Sequence, residues 1–393
     1  MRNTHFAKSL LLLNFVFTIH YTIGSYIHSS FLKEYFSVPE IGILFTASAV
    51  LAIFLLSQGE KILVRFGALS PMLLILAINT FTLFALSLSW FPEIYAWRII
   101  PGIFFVIHHT CAVFILRFLF DVFYEEQTDN TKTGTIRGEL LTAQNFAWVA
   151  SPFIFSTLID PAGKFWMVYT LSAFLSFVLI FLAWNILPHG KTLYFKKIYF
   201  IHTLKDVWQK KDIFRIISVN ILLHIFFAWM IIYMPVYLRE TIGFSWEEIG
   251  ILFTIMLVPY VLVDIPLGIL ADRRLGEKEF LFVGFLVLIL FTFPMGLVSE
   301  KTFYLWAFLL FMSRVGAGAI EIMIETFFFK HVEAGDGNVI SLFRNAQPLA
   351  YIFAPLVGSA FVLMGVSEGF LFMILPAFMI LGVLLASQLK DTK

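Results

Sequence analysis

Charge and cysteine are scarce in this sequence. Only 13% of the 393 residues are charged and the formal net charge is +1, whereas a soluble domain carries about 25% charged residues. The near-zero net charge gives no basic field for binding nucleic acid. The one cysteine, Cys111, excludes a disulfide within the chain. No P-loop, HExxH or Cys-x-x-Cys motif occurs, so we expect a non-enzyme without ATP drive of its own, metal site or cofactor.

Long apolar runs fill most of the chain, and 60% of its residues are hydrophobic. A helix of about 20 apolar residues crosses the hydrocarbon core of a bilayer. Such runs predict twelve transmembrane helices, at 9–31, 41–58, 69–90, 93–118, 138–159, 165–187, 213–238, 247–270, 279–298, 302–329, 338–363 and 369–389. We therefore expect an all-α membrane protein with an N-terminal six-helix half (1–187), a polar linker (188–212) and a C-terminal six-helix half (213–393).

Basic residues are distributed unevenly between the predicted loops. Of the 27 Lys and Arg, 21 fall on the side that holds both termini and four on the other side, while Arg98 and Arg314 fall inside predicted helices. Cytoplasmic loops carry the excess of Lys and Arg. This asymmetry predicts that both termini are cytoplasmic, in a plasma membrane of the bacterial type.

Four short segments of the first half recur in the second half in the same order. The heptapeptide EIGILFT begins at Glu40 and again at Glu248, and the related pairs FLKE/YLRE, IYAW/FYLW and TAQNFAWVASP/NAQPLAYIFAP are separated by 206, 209 and 203 residues. Nearly constant offsets indicate a duplicated unit. Since both copies have an even number of spans, the two halves are expected to lie parallel, as two pseudo-symmetric bundles.

The loop after the eighth predicted helix, GILADRRLGEK, is similar to the cytoplasmic signature of the major facilitator superfamily of secondary transporters. It supplies Gly268, Asp272 and Arg273 at the signature positions, and Gly276 follows after one extra residue, Leu275. The equivalent loop of the first half, SQGEKILVRFG, keeps Arg65 and its glycines but has valine where the signature has aspartate. In the family this loop braces one half against the other, which implies a conformational role for these residues.

The resemblance implies that the first, fourth, seventh and tenth helices line a central cavity. Polar residues at helical spacing fall on these four helices, namely Asn14, Thr18, Tyr21, Arg98, His109, Asn220, His224 and Arg314. Arg98-x-x-x-Gly102 also resembles a signature of the family's fourth helix that is associated with proton coupling. Two alternatives stay open: Asn14 and Thr18 as links to a neighbouring helix, and His109 and His224 as packed neutral side chains.

Acidic residues inside predicted helices are the candidates for proton coupling, because an ionisable group at the centre of a bilayer is costly and therefore functional by default. Glu321 is the first candidate, since no basic residue lies one turn away, followed by Glu325 and Asp264. Two alternatives stay open for Glu321: it binds a cationic solute directly, or it pairs with a basic residue of a facing helix. Arg117 and Glu325 share a similar depth, which predicts an ion pair that closes the inner mouth.

These features together predict a secondary active transporter that moves a small organic solute by alternating access and is driven by protons. We expect a monomer whose partners are the solute, protons and the lipid bilayer. The alternative function is a transporter-like sensor or scaffold without net transport, which the altered loop of the first half favours. Abundant aromatic residues favour an amphiphilic solute, whereas Arg98 and Arg314 favour an anion.

Overall fold

The computed structural model describes residues 2–91, 97–120, 123, 133–159, 163–189, 207–262, 276–332 and 337–390. In these ranges the regular structure is entirely helical. Ten helices there are long and apolar enough to cross a membrane. The predicted span at 247–270 is described only to residue 262, and the one at 138–159 forms a helix that carries Thr142, Gln144 and Asn145 and is too polar to be counted among the ten. The prediction of an all-α, multi-pass membrane protein is confirmed, whereas the count of twelve stays a prediction.

The chain divides into two compact units, Met1–Phe195 and Lys196–Lys393. The predicted linker (188–212) falls across this division, and residues 190–206 lie outside the described ranges. The predicted domain boundaries therefore stay a prediction, and each unit is described by itself.

Unit 1 is a bundle whose first helix packs against two later ones. The helix Arg2–Ser25 contacts the helices Thr133–Leu158 and Trp166–Ile186, and the helix Leu69–Ser87 also packs along Trp166–Ile186. Large phenylalanine side chains such as Phe54, Phe177 and Phe181 are more than half exposed, as expected where a helix faces lipid rather than water. The helices are α1 (Arg2–Ser25), α2 (His28–Lys33), α3 (Val38–Ser57), α4 (Gly59–Phe66), α5 (Leu69–Ser87), α6 (Ile99–His109, continued by a π-helix Thr110–Leu116), α7 (Thr133–Leu158) and α8 (Trp166–Ile186).

In unit 2 the helices Glu277–Thr292 and Phe303–His331 pack tightly, because small residues let their backbones meet. A Cβ added to Gly316 would lie 2.7 Å from the carbonyl oxygen of Gly284 in the facing helix. The helix Lys211–Val236 packs against the helices Ala346–Leu363 and Glu368–Ser387. The helices are α9 (Lys211–Val236, continued by a π-helix Tyr237–Thr241), α10 (Trp246–Leu257), α11 (Pro259–Leu262), α12 (Glu277–Thr292), α13 (Phe303–His331), α14 (Gly337–Arg344), α15 (Ala346–Leu363) and α16 (Glu368–Ser387).

The repeated sequences form repeated local structure. Ser37 and Ser245 each begin a helix, α3 and α10, and each donates its backbone N–H to the glutamate three residues later, at 2.8 and 2.7 Å. Both helices thus start with a capping box. The two serines are 208 positions apart, which is the offset of the EIGILFT match.

Candidate functional site

Asn14 and Asn220 make the same contact in their respective units. Asn14 Nδ2 donates to the carbonyl of Leu140 at 3.2 Å, linking α1 to α7. Asn220 Nδ2 donates to the carbonyl of Phe343 at 3.1 Å, linking α9 to α14. The donors are 206 and the acceptors 203 positions apart, as in the sequence matches. Each asparagine therefore joins two helices within its own unit; for Asn14 this is the contact that the helix-linking alternative predicts.

The residues one turn further along these two helices follow the same pattern. The Thr18 hydroxyl donates to the carbonyl of Asn14 at 2.8 Å, and His224 Nδ1 lies 3.0 Å from the carbonyl of Asn220. Gln144 Nε2 donates to Asn14 Oδ1 at 3.1 Å. Most of the predicted polar stripe on α1 is thus occupied by contacts within unit 1.

Arg98 does not lie inside a membrane-spanning helix, which corrects the sequence-based placement. It precedes α6, its side chain is 64% exposed, and it forms an ion pair with Glu40 at 2.5 Å. Its guanidinium carbon lies 5.7 Å from the ring centre of Phe36, and a Cβ on Gly102 would come within 2.9 Å of the same ring. Arg98 and Gly102 therefore both lie against the ring of Phe36, at the start of α6. Lys301 pairs with Glu248 at 2.8 Å in the corresponding place of unit 2.

Most of the predicted gating and coupling residues are exposed or lie outside the described ranges. Glu321, Glu325 and Arg117 are exposed. Arg65 is also exposed, in the last turn of α4, which ends at a glycine, Gly67, with a φ of +73° that few other residues adopt. Asp264, Gly268, Asp272 and Arg273 lie outside the described residues, and Gly276 is the N-cap of α12.

Arg314 is buried in unit 2 beside three aromatic residues. It is 2% exposed, and its guanidinium carbon lies 5.2 Å from the ring centres of both Phe226 and Phe227. Its Nη1 donates to the hydroxyl of Tyr260 at 3.4 Å. The ring of His224 lies 5.9 Å from Phe227. We call these five residues the arginine–aromatic cluster, and Phe227, Tyr260 and His224 are each partly exposed.

Glu277 is a buried carboxylate that the sequence alone did not single out. It lies in the first turn of α12, is 1% exposed, and accepts from Lys330 Nζ at 2.5 Å. This ion pair ties the start of α12 to the end of α13. A glutamate beside a polar loop looks solvated in the sequence, whereas in the folded chain it is buried and paired with the end of α13. Among the Asp, Glu, Lys and Arg side chains whose burial the structure describes, only Glu277 and Arg314 are buried.

Among the side chains of unit 1 that the structure describes, four histidines are buried instead. His20 and His108 both contact the amide of Asn79, and His28 contacts the Tyr169 hydroxyl at 3.0 Å. His109 is buried and lies 2.8 Å from the Ser48 hydroxyl. In the described ranges no three His, Cys, Asp or Glu side chains are arranged to hold a metal ion.

One short sequence in unit 2 has the spacing of a hydrolase motif. Gly365-x-Ser367-x-Gly369 matches the nucleophile elbow, which requires a strand before the serine. Here α15 precedes it, and the Ser367 hydroxyl accepts from the backbone N–H of Phe370 at 3.4 Å. The serine is therefore the N-cap of α16.

Solved structures share this fold over nearly the whole chain. A variant of the nucleoside transporter NupG matches with a TM-score of 0.74 at 15% identity, covering 98% of this chain and 100% of that one. A second NupG structure gives 0.69 at 16% identity, with 97% of each chain covered. The POT family transporter PepTSo gives 0.72 at 12% identity, covering 98% and 97%. The chain matches no curated protein sequence.

The fold is thus that of multi-pass membrane transporters. Residues 216–392 match the family model of the Major Facilitator Superfamily. Over these residues the match agrees with the family resemblance found in the sequence, and the solved transporters share the fold of nearly the whole chain. The family match covers the C-terminal half, whereas for the N-terminal half the likeness to solved structures shows the fold.

Proposed function

We propose that the chain is a secondary active transporter that moves a small organic solute by alternating access and is driven by protons. The observation that carries this proposal is the arginine–aromatic cluster. A buried arginine in a membrane-spanning helix is costly and is retained where it serves a substrate or ion path. Both termini are cytoplasmic in this proposal, as the uneven distribution of Lys and Arg favours.

The chemistry of the cluster indicates the class of solute. Phe227, Tyr260 and His224 offer ring faces and edges, which favour a planar ring. Arg314 and the Tyr260 hydroxyl offer hydrogen-bond donors, which favour an acceptor or anionic group on the solute. A nucleoside or a small aromatic carboxylate combines both features, and one of the solved structures of the same fold is a nucleoside transporter.

Proton drive rests on residues outside this cluster. Glu321 stays our first carboxylate candidate, with Glu325 and Asp264 next. Because Glu321 is exposed in this conformation, coupling requires that another stage of the cycle desolvates it and favours its protonated form.

Counterflow into proteoliposomes tests the proposal. The panel contains radiolabelled nucleosides and small aromatic carboxylates, and the variants are Arg314→Lys and Arg314→Gln. We expect uptake of at least one solute by the unmodified chain. Arg314→Lys should weaken uptake, because lysine cannot reproduce the planar fork of arginine, and Arg314→Gln should abolish it, because the positive charge is removed. Arg98→Gln, at an exposed ion pair, is the matched control and should retain uptake.

Two results would refute parts of this proposal. Full uptake by Arg314→Gln would remove the cluster from the solute path. Absence of flux for the whole panel, together with a solute that raises the thermal stability of the purified protein, would favour the sensor or scaffold function instead.

A further inference from the structure

The four buried histidines of unit 1 are not used by the proposed solute site. Two of them, His20 and His108, approach the same side chain from different helices. His20 Nε2 lies 3.2 Å from Asn79 Nδ2, and His108 Nδ1 lies 2.8 Å from Asn79 Oδ1. Asn79 Nδ2 also donates to the Ser176 hydroxyl at 3.0 Å. We call His20, Asn79, His108 and Ser176 the histidine network; all four are at most 1% exposed.

A backbone carbonyl fixes where the protons of this network lie. His20 Nδ1 lies 2.5 Å from the carbonyl oxygen of Phe17, which can only accept. Nδ1 of His20 therefore carries the hydrogen, and in the neutral ring Nε2 is an acceptor. The Asn79 atom that faces Nε2 must then be the NH₂ group. Its carbonyl oxygen consequently faces His108, whose hydrogen must lie on Nδ1.

An added proton has two places in this network, and they require opposite orientations of Asn79. A proton on His108 enters at Nε2, so Nδ1 still donates to Asn79 Oδ1 and nothing needs to turn. A proton on His20 enters at Nε2 and would face the NH₂ group, donor against donor. The conflict is relieved only when the amide turns by half a revolution and His108 gives up its Nδ1 hydrogen. The Ser176 hydroxyl tolerates both orientations because it can donate or accept.

The surroundings of the network hold few other titratable groups. On α2, His28 has its ring centre 5.2 Å from that of His108. On α6, His109 lies 6.4 Å from His28. On α8, the Tyr169 hydroxyl contacts His28, and on α1, Tyr21 lies 6.1 Å from His20.

Among the side chains of unit 1 that the structure describes, no Asp, Glu, Lys or Arg is buried beside these groups. A bound proton would therefore be a buried charge without a counter-ion, which is costly unless water or an anion enters. Proton occupancy is consequently tied to how open unit 1 is.

We infer that the histidine network of unit 1 is a proton-binding switch, in which the amide of Asn79 changes orientation when a proton passes between His108 and His20. This switch rests on the proposed function and deepens it, because it adds a proton site in unit 1, whereas Glu321 belongs to unit 2. The network holds one proton at a time. Charged His108 and charged His20 each need the carbonyl oxygen of Asn79 as an acceptor, and this oxygen can face only one of the two rings at a time.

The switch is tested by NMR on the full-length protein in nanodiscs, labelled with ¹⁵N-histidine. Ring nitrogen shifts report the tautomer of each histidine between pH 5 and pH 9, and His20→Gln and His108→Gln provide the assignments. In the unmodified chain we expect His20 to be the Nδ1–H tautomer at high pH. As the pH falls, the ring nitrogen shifts of His20 and His108 should change together, since coupled groups titrate as a pair.

Two substitutions at Asn79 separate the switch from simple packing. In Asn79→Ala the two rings should change independently of each other. Asn79→Asp has nearly the same shape but offers only acceptors, so His20 should carry two hydrogens at a pH where it carries one in the unmodified chain. Asn185→Ala, at an exposed asparagine whose amide bonds only the Phe181 carbonyl among its described contacts, is the matched control and should leave both rings unchanged.

Either of two outcomes overturns the inference. One is that His20 and His108 keep their tautomers throughout the pH range; the other is that they respond identically in the unmodified chain and in Asn79→Ala. The NMR measurement needs no solute. If both rings respond together but no flux occurs in proteoliposomes, the proposed transport is refuted and the switch stands. If flux occurs but the rings do not respond together, the switch is refuted and the proposed transport stands.

Discussion

The buried ion pair between Glu277 and Lys330 gives the sharpest stability prediction. Replacing Lys330 by methionine leaves a carboxylate that is 1% exposed without this cation. Removing one partner of a fully buried pair costs about 3–5 kcal/mol. Lys330 itself is 44% exposed, so solvent screens the pair in part and we expect about 2–3 kcal/mol.

This cost should be visible in the thermal unfolding of unit 2. A loss of 1 kcal/mol lowers the melting temperature of a domain of 150–250 residues by about 2–4 °C, so Lys330→Met should lower it by roughly 4–12 °C. Intrinsic tryptophan fluorescence during heating of the purified protein measures the shift. A companion variant, Glu277→Gln with Lys330→Met, should recover most of the loss, because no charge then stays buried.

The matched control lies in the same unit. Lys301 pairs with Glu248, but both side chains are at least 34% exposed, and an exposed ion pair contributes about 0–1 kcal/mol. Lys301→Met should therefore shift the melting temperature by about 4 °C at most. Equal shifts for Lys330→Met and Lys301→Met would refute the assignment of Glu277 as a carboxylate that depends on its ion pair.

Three further predictions concern the helix contacts and the coupling carboxylate. Gly316→Ala should destabilise the protein by about 1–3 kcal/mol, because the added Cβ would lie 2.7 Å from a backbone oxygen. Gly59→Ala is the control, since its added Cβ would lie 3.6 Å from the nearest side chain, and equal melting temperatures for the two variants would contradict this prediction. Asn14→Leu and Asn220→Leu should each cost about 1 kcal/mol in thermal unfolding, because each removes a buried hydrogen bond between two helices, and strongly unequal losses would count against equivalent roles. Glu321→Gln should abolish accumulation of solute driven by a pH difference and leave solute exchange intact; accumulation that persists would move the coupling role to Glu325 or Asp264.

Features set by short stretches of chain were predictable from the sequence. Apolar runs of about 20 residues identify membrane helices because the bilayer thickness fixes their length, and ten such helices are present in the described ranges. The repeat was predictable for the same reason, since a capping box spans four consecutive residues. The matches at Ser37 and Ser245 therefore reappear as the same helix start.

The depth of individual side chains was less predictable. Arg98 was expected inside the fourth helix because the surrounding residues are apolar, yet that helix begins one residue later and Glu40, 58 positions away, holds the guanidinium at its end. Helix ends depend on loop contacts and are the least certain part of a sequence-based prediction. The family signature at Gly268–Lys278 was found by its spacing, whereas the burial of Glu277 within it was not.

The sequence by itself determined the membrane class and the helix start that recurs at Ser37 and Ser245, and it carried the family resemblance, because each of these is encoded in local composition or in the spacing of short motifs. Only the tertiary structure decided which polar side chains meet. Asn79 is 59 positions from His20, 29 from His108 and 97 from Ser176, and four helices must pack together before one amide can link them. No local pattern carries that information, because a hydrogen bond needs its two atoms within about 3 Å, and distances of that size between distant segments are set by the packing of whole helices.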